Sequence, residues 1–280
     1  MNSGRLVLVA TPIGNLGDLS DRAREVLGAA DVVCCEDTRR TGLLLHRFGI
    51  RAPRLLVVNE HTELDRVPEV LRLLAEGSTV AVASDAGSPG VSDPGERLVR
   101  AAVDAGYTVS ATPGPSAAIM ALTISGLPTG RFVFEGFLPR SGGGRGARLA
   151  ELADERRTVV LYEAPHRLAA TLADLHQRCG DDRRVVLARE LTKLHEEVWR
   201  GTLADAVERS AQVEAMGEYV IVLAGAPAPG PASDDDLRAA LRARIAAGAD
   251  KKSAIAEVAR STGAPKRTVY ALALELDRPG

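Results

Sequence analysis

Aromatic side chains are scarce in this 280-residue chain: one Trp, four Tyr and four Phe, 3% in all. A platform that grips single-stranded nucleic acid by stacking needs more. Three Cys (Cys34, Cys35, Cys179) give an odd count with no CxxC. Neither a disulfide framework nor a cysteine zinc site is implied, and a reducing cytoplasm fits. The five His show no HxH or HExxH spacing, so no metal site is expected. No apolar stretch reaches the ~18 residues of a membrane span, and the run near the start is too short for a secretory leader. A soluble cytoplasmic protein with no membrane partner is expected. No GxGxxG follows the first strand and no GxxxxGK[ST] occurs anywhere, so standard dinucleotide and Walker-type phosphate sites are unsupported. Neither charge sign dominates: 35 basic against 37 acidic residues give −2, which as a total argues against a polyanion-coating protein. Only four basic residues are Lys. A GC-rich genome explains that bias, and an Arg-rich phosphate surface is the sharper reading.

What is present is an ordinary globular composition, 45% hydrophobic and 26% charged, in a length that suggests about two domains. The first half alternates short apolar runs with helical patterns. Strands are expected over 6–10, 32–35, 55–58, 79–83 and 107–111. Helices are expected over 21–30 (capped by Ser20), 38–48, 67–76 and 94–105. Such runs indicate parallel strands covered on both faces in a doubly wound α/β domain. Thr112-Pro113-Gly114-Pro115 breaks the rhythm and marks a domain junction, followed by a short helix over 116–125. Strands then recur over 132–137, 158–162, 184–188 and 219–224, with helices over 147–156, 167–178 and 203–215. Ser141–Gly146 reads as a flexible basic loop and Ala226–Pro231 as a linker. Three short helices follow, over 234–247, 251–259 and 265–276. Gly263 sits between the last two, and Ile255, Val258 and Leu272 support them, as in a helix-turn-helix. The domains expected are 1–115, 116–226 and 234–280.

Ligands of an open parallel sheet bind beyond the carboxyl ends of its strands. The residues there are small and polar, most tellingly in Ser84–Gly95, where glycines and prolines shape a loop with exposed backbone. Asp85 can accept from a ligand hydroxyl or amine, while Asp93 reads as the cap of the next helix. Glu36-Asp37 and Glu60-His61 either form a general-base site or place charge at helix N-termini. In the second half, Tyr162–Arg167 and Ala188–Lys193 mix cations with carboxylates, as a surface ion-pair network or as phosphate contacts. Between Leu237 and Leu272 eight basic residues face only Asp250 and Glu257. That +6 leaves −8 for the rest of the chain and points to nucleic-acid contact, with a solvated or dimer-forming face as the alternative.

The ordered blocks LVLVATPIGNLGDLSDRA, CEDTRRT, VASDAGSPGVSDPG, TPGPSAAIMAL, FEGFLPR, LYEAPHR, ARELTK and GEYVIVLAG resemble the tetrapyrrole methylase superfamily, and within it the enzymes that methylate a cytidine ribose of 16S rRNA. The resemblance runs from about Arg5 to Gly225, and the tail also looks like those enzymes' C-terminal extension. It implies a class III methyltransferase fold, with two α/β domains and a small helix-turn-helix-like domain. It further implies S-adenosyl-L-methionine as donor, a homodimer, and 2′-O-methylation in the decoding region of the small ribosomal subunit. Carried onto matching positions, the donor should touch Pro12, Asp85, Ala86, Gly87, Ser88, Ser116, Ala117, Tyr162, Ala188 and Tyr219. Asn59-Glu60-His61 stands where relatives show His-acid-His. The hydroxyl's proton acceptor is then expected at Asp37, Glu60 or His61. Phosphate contacts are expected at Arg39, Arg140, Arg167, Arg189, Lys193, Lys251, Lys252, Lys266 and Arg267. The rival readings are C-methylation of a tetrapyrrole, disfavoured by the basic tail, and a non-enzymatic ribosome-assembly factor, disfavoured by the loop Ser84–Gly95.

Overall fold

The computed structural model describes residues 4–51, 53–228 and 232–276. Met1–Ala226 forms one compact unit and Pro227–Gly280 a second. The end of the expected linker, Pro229 to Pro231, lies outside the described residues.

The first unit opens with five parallel strands: β1 (Arg5–Val9), β2 (Val32–Cys35), β3 (Arg54–Val57), β4 (Thr79–Ala83) and β5 (Thr108–Thr112). They are ordered β3-β2-β4-β1-β5. Side chains alternate across a strand. Leu6, Val32 and Cys34 therefore pack against α3 (Glu63–Ala75) and α4 (Glu96–Asp104). Val7, Val9 and Val33 pack against α1 (Asp21–Ala29) and α2 (Thr38–Arg47). Both faces are thus covered, except at edge strand β5, where Thr108, Ser110 and Ala111 are exposed. Ser20 caps α1 by accepting from Ala23 N at 3.1 Å.

The second sheet has the order β6-β7-β10-β8-β9. Its strands are β6 (Phe132–Phe137), β7 (Thr158–Glu163), β8 (Arg184–Arg189), β9 (Glu197–Thr202) and β10 (Tyr219–Leu223). β6 and β7 are parallel; β10 runs antiparallel to β7 and β8, and β9 antiparallel to β8. One face meets α6 (Gly142–Asp154), α7 (Pro165–Cys179) and α8 (Leu203–Gln212). The other meets α5 (Ala117–Ser125) and Ile13 from the loop after β1. Because β10 is reversed, its amino end lies beside the carboxyl ends of β7 and β8, with Tyr219 opposite both Glu163 and Arg189.

Several expectations are corrected. Ser141–Gly146 is no loop: α6 begins at Gly142. Arg145 pins it, donating to Asp174 at 2.8 Å, Thr171 at 3.0 Å and Pro139 O at 2.9 Å. Strand β9, with its Trp and Arg among small residues, escaped notice. α3 starts at Glu63, not Val67. Asp93 does not cap α4; its N-cap is Gly95. Glu63 supplies the acceptor instead. Only 5% exposed, its Oε1 accepts from Gly95 N and Arg97 N, both at 2.9 Å, and from Leu98 N at 3.2 Å. A carboxylate at a helix N-terminus also meets the positive end of the helix dipole.

The second unit packs α9 (Asp234–Ala246), α10 (Lys251–Thr262) and α11 (Lys266–Glu275) around Leu237, Leu241, Ile255, Val258, Val269 and Leu272. Gly263 closes α10 at φ 71°, a conformation that favours glycine. No helix among the described residues is long and apolar enough to cross a membrane.

Glu63→Ala leaves three amide donors without their acceptor and should lower stability by about 3 kcal/mol, while Glu63→Gln keeps an acceptor and should lower it by about 1 kcal/mol. Urea unfolding of the two variants checks the order.

Candidate active site

A cavity of about 340 Å³ lies where strand ends of the two sheets meet. The first sheet contributes Ile13, the Ala86–Ser88 segment, Val91–Asp93, Ser116 and Ala117; the second contributes Phe137, Tyr162–Pro165, Ala188, Leu191 and Glu218–Val220. Its wall is mainly apolar. Tyr162 is held edge-on to Phe134 at 5.1 Å and tilted against Phe137 at 5.6 Å. Its hydroxyl oxygen accepts from Ala118 N at 3.3 Å, and burial raises its pKa. A wider, more polar cavity of about 690 Å³ adjoins it, with Glu36, Glu60, Arg97, Arg140, His166 and Arg167 among its walls. Ser92, Asp93, Phe137 and Ala164 line both.

The loop between β4 and α4 shapes this boundary. Thr11 and Gly87 exchange backbone bonds at 2.8 and 3.1 Å. Ser84 Oγ donates to Gly87 O at 2.9 Å, and Thr11 Oγ1 donates to Ser84 O at 3.0 Å. Gly87, Gly90 and Gly95 have positive φ, and so does Ser92, at 61°. A non-glycine residue in that region stores strain, which collects at functional sites. Gly136 makes room for it, since a Cβ there would stand 2.9 Å from Ser92 Oγ. Gly136 also sits at a register shift of β6 against β7, at φ 62°.

Four carboxylates converge here. Glu36 accepts from Asp85 N at 2.9 Å, and burial raises its pKa. Asp85 Oδ2 pairs with Arg40 at 3.2 Å, while its Oδ1 is buried with no hydrogen-bond partner among the described residues. Asp93 is pushed up to about 7 by burial first, then by Glu36, Asp85 and Glu218.

The structure sorts the expected residues. Ala86, Gly87, Ser88, Ser116, Ala117, Tyr162, Ala188 and Tyr219 line the apolar cavity. Pro12 does not: the Thr11–Gly87 bridge turns the chain so that Ile13 faces inward and Pro12 is buried behind it. Asp85 stands outside the wall, tied to Glu36 and Arg40. Asp37 is a cap, accepting from Arg39 N at 2.8 Å and forking with the Arg39 guanidinium. Arg39 holds its carboxyl well below the usual range, and neither cavity counts Asp37 among its walls. Glu60 reaches the polar cavity; exposed His61 lines neither and donates its backbone N–H to Asn59 Oδ1 at 3.1 Å.

Three expected phosphate contacts are paired with carboxylates of the protein itself. Arg167, 19% exposed, pairs with buried Glu163 and donates to Leu138 O at 2.7 Å. Arg189, also 19% exposed, binds Met216 O and Glu197. Lys193 bridges Glu190 and Glu218 at 2.8 and 2.9 Å. Arg140 is exposed on the polar cavity. Lys251, Lys252, Lys266 and Arg267 belong to the second unit, where the last three are exposed. Sequence reading missed Glu63, Glu163 and Arg183. Arg183 is 6% exposed and donates to the carbonyls of Leu152, Ala153, Glu155 and Ala224. Nothing in the type or spacing of these charges marks them as buried.

A parallel sheet and a mixed sheet close their ends on one apolar cavity, and sequence matches show that the chain is a methyltransferase of the tetrapyrrole methylase class. The family model for tetrapyrrole (corrin/porphyrin) methylases matches residues 5–207, and the model for the RsmI C-terminal HTH domain matches 231–277. A Thermus thermophilus uroporphyrin-III C-methyltransferase, solved with S-adenosyl homocysteine, shares the fold: TM-score 0.56 and 20% identity over 79% of this chain and 97% of that one. A Synechocystis ribosomal RNA small subunit methyltransferase I is 47% identical over 99% of this chain and 100% of its own length. A Thermotoga maritima protein of the same name is 46% identical over 79% of this chain and 99% of itself. The chain belongs to the ribosomal RNA small subunit methyltransferase I family.

Gly136→Ala should displace Ser92 and lower stability by about 1–2 kcal/mol through the positive φ and the close approach. Thermal unfolding checks it, and Gly130→Ala, where a Cβ meets nothing within 4 Å, is the control.

Proposed function

We propose that this chain transfers a methyl group from S-adenosyl-L-methionine to the 2′-hydroxyl of a cytidine in the decoding region of 16S rRNA. It acts on the small ribosomal subunit, in the cytoplasm, as a homodimer. The observation that carries the reading is the pairing of cavities: an apolar one sized for a small molecule opens along Ser92 and Asp93 onto a polar one.

The residues present fit this donor, which brings a flat adenine, a ribose, an amino-acid tail and a sulfonium charge. Apolar walls at Ile13, Tyr162, Leu191 and Val220 suit the adenine. The Ala86–Ser88 backbone, bare at Gly87, suits its polar edges. Asp93 and Glu218 on the wall suit a cationic ligand, as does the orphaned Asp85 Oδ1 close by. Bound there, the donor supplies an electrophilic methyl group whose bond to sulfur breaks with its electron pair staying on sulfur. The chain's own part is to align the accepting oxygen, exclude water and remove a proton. Arg97, Arg140 and His166 beside the polar cavity suit a nucleotide's phosphates. Exposed Lys252, Lys266 and Arg267 in the second unit suit phosphates of the same RNA. The Thermotoga relative is matched over nearly all its length by about four-fifths of this chain, which supports a catalytic role for the body and an auxiliary one for the tail.

Calorimetry with S-adenosyl-L-methionine should show saturable binding, and light scattering should give twice the chain mass. Small subunits from a strain lacking the protein should gain one ribose methyl in the decoding region. No heat and no methylation would leave a non-enzymatic RNA-binding factor. The triple variant Lys252→Glu, Lys266→Glu, Arg267→Glu should weaken binding to small subunits at least tenfold and flatten its salt dependence. Donor affinity should stay unchanged.

A further inference from the structure

We infer that Asp93 accepts the proton of the hydroxyl that is methylated. The inference rests on the methyltransferase reading above and deepens it. Four residues line both cavities, and among Ser92, Asp93, Phe137 and Ala164 only Asp93 carries an ionisable side chain. A hydroxyl entering from the polar side must pass this group to meet a methyl donor on the apolar side. The backbone aims it: Ser92 is held at φ 61° immediately before it, and Gly90 N donates to Pro94 O at 3.0 Å across the turn. Its carboxylate is uncommitted. Asp37 caps a helix, Glu63 closes another, and Glu163 accepts from Thr171 and Ala164. Asp93 has no hydrogen bond or ion pair among the described residues.

Its surroundings match the task. Burial, then Glu36 after β2, Asp85 after β4 and Glu218 before β10, bring its carboxyl up to about 7. Arg97, Arg140, His166 and Arg167, with Glu60, Glu63 and Glu96, are the other charged groups on the polar cavity. A base titrating near the working pH combines a large charged fraction with useful proton affinity. In the transfer, the hydroxyl O–H bond breaks and its proton moves to Asp93 Oδ. The oxygen forms the new O–CH3 bond with the pair so released. The S–CH3 bond breaks onto sulfur, leaving a neutral thioether, and Asp93 then gives its proton to water.

The test is D93N in the full chain. Turnover on small subunits, read as kcat at saturating donor so that any loss of donor affinity is separated from it, should fall at least 100-fold. The wild-type kcat/KM should rise through about pH 7 and level above it, because the charged form is the base; in D93N any residual activity should lack that limb. A second readout needs no donor. The folded-state pKa is raised, so wild type loses stability as pH climbs from the ordinary carboxylate value through about 7. D93N should therefore melt higher than wild type at pH 8, with the gap closing near pH 4. Full turnover in D93N, or a wild-type profile with no limb near 7, overturns the assignment while the methyltransferase reading stands. Wild type that neither binds the donor nor methylates small subunits overturns both.

Discussion

The carboxylate of Glu63 at the amino end of α4 is the contact on which the cleft depends. The chain leaves β4 at Ser84 and must re-enter regular structure twelve residues later, through glycines and a serine with positive φ. Such a segment has little hydrogen bonding of its own and stays put only if both ends are fixed. Thr11 and Ser84 fix the first end. Glu63, buried and accepting three amide donors, fixes the second. Everything between, including Ser92 and Asp93, is placed by those anchors.

With the loop held, a second constraint follows. Burial raises the proton affinity of Glu36 and Asp93, and neighbouring carboxylates raise it further: Asp85 for Glu36, and Glu36, Asp85 and Glu218 for Asp93. A fold selected only for stability would give each a cation; Arg40 pairs with Asp85 and Lys193 with Glu218, but Asp93 has no ion pair among the described residues. Elsewhere the chain does pair its buried charges, as with Glu163 and Arg167. Carboxylates left under mutual repulsion beside a cavity indicate strain kept for binding and chemistry. A cationic donor would relieve part of it and bring Asp93 toward its charged form.

The regular core was readable because the inner strands β1, β2 and β4 are short apolar runs buried on both faces; β2 and β4 fall where the sequence puts them. The residues lining the apolar cavity were readable for a related reason: ligands meet strand ends, and small residues there let the backbone approach. What was hidden depends on partners distant in sequence. Gly142–Gly146 forms the start of a helix because Arg145 is anchored by Asp174 and Thr171, and local propensity points the other way. Asp93 looks like a cap, since Asp before Pro is a helix-start signal, but Glu63 had already filled that role. Arg167, Arg189 and Lys193 look like phosphate ligands because the sequence does not reveal that carboxylates of the same fold stand beside them.

The charge of the tail shows the same limit. The +6 between Leu237 and Leu272 depends on where the window ends. Across 234–276 eight basic side chains stand against six acidic ones. Asp234, Asp235 and Asp236 lie in the first turn of α9, and Asp236 completes a capping box with Ser233. Glu275 pairs with Arg238, and Glu257 with Arg244. Much of the acid is therefore spent on helix ends and internal pairs. Arg260, Lys266 and Arg267 are exposed around the turn at Gly263 without ion pairs among the described residues. A polyanion responds to the local field of such a turn, since charges beyond about 10 Å are screened at physiological salt. The modest net charge of this unit is therefore compatible with a phosphate-binding surface.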